Sequence, residues 1–186
     1  MFKSLSYDIE EVLKLFKQKR ILDLRGLSSR LTREAAIETD YAKAELGVIA
    51  YALHKIETKQ HFVDNPKWAR VKAQISTVLE GALFAAENNN KSLLIKKLKQ
   101  IINEIESIDS DLGNFAQNIY EKAKVKQASL AYSIGLSIAQ ASELTGADKK
   151  EVQSYIGFTK MPDEETEAKT ISSRIQELKK LLEVKK

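Results

Sequence analysis

The sequence predicts an all-α fold, built as a multi-helix bundle. Only 7 glycines and 2 prolines interrupt 186 residues, and apolar residues recur at three- and four-residue spacing along much of the chain. The period-two alternation of β-branched residues that is typical of a half-buried strand is absent. Hydrophobic residues make up 43% of the chain, which at this length is enough for a packed interior.

Three helices are predicted in the first 60 residues. The first spans residues 7–20, with Ser6 as its N-cap, and the second spans residues 24–38. A third follows Asp40 and carries a broad apolar face, which predicts a central, buried helix. Gly47 lies on that helix and should let a neighbouring helix approach closely.

Three longer helices are predicted in the middle of the chain. Asn65 can cap a helix whose first position is Pro66 and which extends to about Ala86. The next spans residues 92–108. A long helix over residues 115–133 follows, and Gly135 should end it.

Two helices joined at a glycine are predicted next. Ser137 can cap the first of them, and Gly146 provides a left-handed turn without the penalty of a Cβ atom. Asp148 can then cap the second helix. Three residues of the first helix are expected to face inward: Ile138, Ala141 and Leu144.

This stretch, GLSIAQASELTGADKKEVQSYIGFTK, resembles the helix-turn-helix of DNA-binding proteins as a local match. Val152 and Ile156 stand six and ten residues after the glycine, where that family has apolar anchors. Ser142 stands four residues before it, where the family prefers alanine. The resemblance implies that the second helix lies in the major groove of DNA. The side chains that it assigns to DNA contact are Lys149, Lys150, Gln153, Ser154 and Lys160.

We therefore predict three parts: an N-terminal helical bundle at 1–113, a tri-helical helix-turn-helix module at 114–160 and a terminal amphipathic helix at 161–186 that begins near Pro162. The terminal helix carries an apolar seam at four-three-four spacing. Its members are Ile171, Ile175, Leu178 and Leu182. The sequence leaves open whether this seam packs on the body of the protein or pairs with its copy in a homodimer.

Composition excludes several classes of function. The absence of cysteine excludes disulfides and thiolate chemistry and favours a reducing, cytoplasmic location. No apolar run is long enough to span a membrane. The chain has no phosphate-binding glycine loop, nucleophile elbow or paired catalytic carboxylates, so we expect no catalytic residues and no cofactor. His54 and His61 are too few ligands for a metal site.

The sequence thus favours a DNA-binding transcriptional regulator that binds double-stranded DNA. The alternative is a non-catalytic helical adaptor or scaffold that binds protein partners, and a third option is an RNA-associated factor. The net charge of +4 is mildly basic, so the distribution of charge matters more than its sum. Two basic clusters would form a phosphate-binding footprint if the fold brought them to one side: Lys14, Lys17, Lys19, Arg20, Arg25, Arg30 and Arg33, and Lys91, Lys96, Lys97 and Lys99.

Overall fold

The computed structural model describes the backbone of residues 2–111 and 118–165, and the side chains of residues 4–108 and 118–158. Within these ranges the regular elements are all α-helices, which confirms the predicted all-α multi-helix bundle. The helices are α1 Phe2–Lys17, α2 Ile21–Glu38, α3 Tyr41–Glu57, α4 Gln60–Val63, α5 Trp68–Glu87, α6 Lys91–Asp111, α7 Ile119–Ser133, α8 Ile138–Thr145 and α9 Lys149–Glu165.

Helix α3 is the central helix of the fold, as predicted. Asp40 caps its start, because the Asp40 carboxylate accepts hydrogen bonds from the backbone N–H groups of Ala42 and Lys43. At Gly47 the helix passes very close to α2, where an added Cβ atom would lie 2.9 Å from Oγ1 of Thr32. The close approach expected at this glycine is therefore confirmed.

Helix α1 differs from its predicted boundaries at both ends. It begins at Phe2, so Ser6 lies inside the helix and is not its N-cap. Leu5 is buried in the core, and its burial stabilises an additional first turn. The helix ends at Lys17, because Lys19 takes a left-handed conformation with φ of 54°.

A short helix, α4, lies just before Asn65, where we predicted no helix. Phe62 within it is fully buried, and this burial holds the four residues against the core. The Asn65 carboxamide oxygen accepts a 2.8 Å hydrogen bond from the N–H of Lys67. Pro66 therefore lies in the turn that leads to α5 and is not the first residue of that helix, which begins at Trp68.

The buried apolar residues form two clusters. The large core unites α1 to α6 with the first turns of α7, including Ile119 and Ala123. The small core joins α7, α8 and α9 to one alanine each from α2 and α3, Ala35 and Ala44. Helix α7 contributes to both cores, so it connects the last helices to the body of the protein.

The C-terminal part differs from prediction in one respect. Helix α9 continues through Pro162 to Glu165, so no new helix begins at that proline. The four seam residues predicted between Ile171 and Leu182 lie outside the described residues, as does the predicted boundary at residue 113.

Candidate nucleic-acid interface

Helix α8 begins with two reciprocal hydrogen bonds. The Ser137 hydroxyl accepts a hydrogen bond from the N–H of Gln140 at 3.2 Å, and the Gln140 carboxamide oxygen accepts one from the N–H of Ser137 at 2.9 Å. This capping box satisfies two backbone donors at the start of the helix. The N-cap role predicted for Ser137 is confirmed, and Gln140 adds a contact that was not predicted.

The turn between α8 and α9 is formed by three residues with distinct tasks. Gly146 takes the left-handed conformation, with φ of 67° and ψ of 21°, and its N–H donates to the carbonyl of Ser142. Ala147 is buried. The Asp148 carboxylate then accepts hydrogen bonds from the N–H groups of Lys150 and Glu151 at 2.9 and 3.0 Å, so it caps α9 as predicted.

Helix α9 is anchored by the residues that the motif requires. Val152 is fully buried and Ile156 is nearly so, and both belong to the small core. Ala141 and Leu144 of α8 lie in the same cluster, so the two helices share one apolar contact. Ser142, which stands where the family prefers alanine, is buried, and among the described residues no partner bonds to its hydroxyl.

The first two turns of α9 present the predicted reading residues to solvent. Lys149, Lys150, Gln153 and Ser154 are all exposed, whereas Val152 lies between them on the buried side. By helical spacing Lys149 and Gln153 share one ridge, and Lys150 and Ser154 share the next. We name these four residues the reading surface. The side chain of Lys160 lies outside the described residues.

The reading surface is close to charge balance. Lys149 and Lys150 stand beside the exposed carboxylates of Asp148 and Glu151. A helix N-terminus favours bound anions, but the Asp148 carboxylate already occupies the first N–H groups of α9. Side chains outside this helix would therefore have to supply most of any contact with phosphate.

Three of the seven members of the first basic cluster form ion pairs. Arg30 donates hydrogen bonds to the carboxylates of Asp8, Glu11 and Glu34, at 3.0, 2.8 and 3.0 Å. Burial raises the pKa of Asp8, whose second oxygen has no partner among the described residues. Two other members bind carboxylates as well: Arg20 pairs with Asp23, and Lys17 pairs with Glu80. These three side chains are therefore held by carboxylates, whereas Lys14, Lys19, Arg25 and Arg33 are exposed.

A groove of about 860 Å³ lies beside the reading surface, where the end of α3, the first half of α7 and α9 meet. Four lysines line it, in two pairs at four-residue spacing: Lys55 and Lys59, and Lys122 and Lys126. We call it the lysine groove. Three aromatic residues also line it: Tyr51, Tyr155 and Phe158.

Lysines and aromatic rings are in contact within the lysine groove. The Lys126 ammonium lies 5.5 Å from the ring centroid of Tyr155, and the Lys55 ammonium lies 5.6 Å from that of Tyr51. Burial raises the pKa of the Tyr51 phenol above its ordinary value. Sequence reasoning missed this groove because its walls come from distant helices. The one indication of the groove in the sequence was the four-residue spacing within each pair of lysines.

The described residues offer no metal centre and no membrane span. His54 is buried, and its Nδ1 donates a 3.0 Å hydrogen bond to the carbonyl of Ile21. His61 is exposed. In the described part of the chain, no three histidine or carboxylate side chains are arranged to hold a metal ion. None of the described helices combines the length and apolar character needed to cross a bilayer.

Comparisons with protein-family models, with curated proteins and with solved structures returned no match.

Proposed function

We propose that this protein binds nucleic acid through its helix-turn-helix and acts as a DNA-binding transcriptional regulator. The observation that carries the proposal is the position of α9. The helix is anchored by Val152 and Ile156, while the reading surface on its first two turns is exposed. A regulator of this class needs that combination to place a helix in the major groove.

The chemistry of the reading surface supports contact with DNA. A lysine can donate to the acceptors of guanine or to phosphate, and a glutamine can pair with adenine. Lys149, Lys150 and Gln153 supply these groups within five consecutive residues. A homodimer through the C-terminal helix, which would bind two half-sites, and a cytoplasmic location are parts of the same proposal.

The direct test is a titration of fluorescently labelled random-sequence duplex DNA with the full chain, followed by anisotropy. We expect binding that weakens steeply between about 50 mM and about 200 mM salt, because phosphate contacts release counterions. The test variant replaces Lys149, Lys150 and Gln153 with alanine. It should bind at least about tenfold more weakly, and its dependence on salt should decrease.

The chain offers a matched control at the start of α5. Lys67, Arg70 and Gln74 are exposed and belong to neither basic cluster, so their replacement by alanine removes the same number of positive charges and one carboxamide far along the chain from α9. The control variant should bind DNA within about twofold of the wild type. If the two variants bind equally, the role assigned to the reading surface is wrong.

The alternative is a non-catalytic helical adaptor that binds a protein partner. The near-balanced charge of the reading surface favours it, since Asp148 and Glu151 offset the two lysines. An adaptor would show no salt-dependent binding of duplex DNA at micromolar protein. That result would replace the regulator with the adaptor as the better proposal.

A further inference from the structure

The lysine groove has the size and lining of a site for a small molecule. Its volume of about 860 Å³ lies in the range of ligand pockets, which are mostly apolar with a few placed polar groups. Ile119 and Val125 of α7 contribute apolar surface, and the rings of Tyr51, Tyr155 and Phe158 border the same space. A flat, apolar ligand would find several rings against which to pack.

The groove is lined by more positive than negative side chains, so it favours a negatively charged ligand. Lys55, Lys59, Lys122 and Lys126 line it, and among the described residues no carboxylate lies within 4.0 Å of their ammonium groups. The carboxylates of Glu121 and Glu151 also line the groove, so its lysines outnumber its carboxylates by four to two. Glu121 accepts a 2.6 Å hydrogen bond from Lys124, which offsets its charge.

Phe158 shows that the apolar part of the groove is open. Its side chain is 77% exposed although it lines the groove, so a ligand that packed against it would remove apolar surface from water. The chain after Glu165 is an unsuitable occupant because it carries six basic residues against three acidic ones. A basic segment would be repelled by the lysines.

We infer that the lysine groove binds an organic anion with an aromatic body, whose rings pack on Tyr155 and Phe158 and whose acidic group pairs with Lys122 and Lys126. Such a site goes beyond DNA binding: it shares Ser154 with the reading surface, but most of its lining comes from α3 and α7. No covalent step is involved. The ligand is held by charge and by apolar contact.

The probe for this site is 8-anilinonaphthalene-1-sulfonate, an aromatic sulfonate whose fluorescence rises in an apolar site. We expect saturable binding of one molecule per chain at micromolar concentration. Replacing Lys122 and Lys126 together by glutamine should weaken binding by about tenfold or more, since charge-assisted contacts are lost. Phe158→Ala should weaken it by roughly threefold or more through lost apolar contact.

Two matched controls separate the groove from general exposure of apolar or basic surface. Phe84 of α5 is 61% exposed outside the groove, so Phe84→Ala should leave probe binding unchanged. Lys96 and Lys99 of α6, replaced together by glutamine, should also leave it unchanged. The uncharged probe N-phenyl-1-naphthylamine should bind more weakly than the sulfonate and should not respond to the lysine variant.

Circular dichroism of each variant checks that the fold is retained. The inference is overturned if the wild type binds no sulfonate probe saturably, or if the groove variants and the control variants bind it equally. The assay contains no DNA, so its outcome and that of the duplex titration are independent. Failure of probe binding would therefore not count against DNA binding, and failure of DNA binding would not count against the lysine groove.

Discussion

The hydroxyl of Thr32 on α2 donates a 2.8 Å hydrogen bond to the carboxamide oxygen of Gln127 on α7, and both side chains are buried. This contact joins the bundle to the helix that carries the last two helices. Its partners are 95 residues apart in the chain. Because the bond is buried, the loss of one partner leaves the other polar group without compensation.

Thr32→Val should therefore lower the free energy of unfolding by about 1–3 kcal/mol, measured by urea denaturation. The double variant Thr32→Val with Gln127→Leu removes both polar groups and should cost less than the sum of the two single changes. Additive costs would show that this hydrogen bond does not couple α2 to α7.

The left-handed conformation at Gly146 gives a second prediction. An added Cβ atom would meet nothing within 4 Å, so Gly146→Ala tests backbone strain alone. We expect a loss of about 1–2 kcal/mol in the free energy of unfolding. Gly26 also has open space around a Cβ atom but lies inside α2. Gly26→Ala should stabilise by about 0.5–1 kcal/mol, and a loss at both glycines would contradict this account.

The buried hydroxyl of Ser142 gives a third prediction. Since no described residue bonds to it, Ser142→Ala removes an unpaired polar group and introduces the alanine that is preferred in the proteins this stretch resembles. Thermal unfolding should show stabilisation of about 1 kcal/mol. The control is Ser76→Ala in α5, whose hydroxyl bonds to the carbonyl of Lys72. An equal gain at both serines would reflect helix propensity only.

The pH dependence of stability should report His54. Burial lowers the pKa of His54 below its ordinary value near 6.5. The unfolded chain therefore takes up this proton at a higher pH than the folded chain. The unfolded state binds more protons in that window, so stability falls as the pH drops from about 7 toward about 5.

The variant His54→Gln keeps a donor for the Ile21 carbonyl but cannot titrate. As the pH falls through this range, the free energy of unfolding should decrease more for the wild type than for the variant. Asp8 acts with the opposite sign, because its raised pKa makes the folded state the better proton binder, and the comparison at each pH cancels its effect. A difference that stays constant with pH would contradict the role of His54.

Local signals in the sequence predicted the elements that depend on local structure. Ser137 and Asp148 cap helices where expected, and Gly146 turns the chain where expected, because each acts on backbone groups within a few residues. The early start of α1 and the existence of α4 were not predictable in this way. Both depend on burial, of Leu5 and Phe62, that the folded core provides.

The two candidate sites differ in the same way: local spacing predicts the reading surface, and only the packing of distant helices forms the lysine groove. The reading surface follows from helical spacing after Gly146, so a sequence can indicate which of its residues are exposed. The lysine groove needs Lys55, Lys122 and Tyr155 to meet from three helices, and no pattern within one helix reveals that meeting. The ion pairs of Arg30 with Asp8 and Glu11 likewise depend on how α1 packs on α2.

The sharing of α7 between the two cores has a practical consequence for anyone who wishes to transplant the reading surface. A graft that carried only α7 to α9 would leave Val125, Ala128 and Ala131 without the alanines of α2 and α3 that pack with them, and would expose the carboxamide of Gln127. The smallest portable unit therefore includes the α2–α3 hairpin as well. A recipient protein would have to accept five helices rather than three.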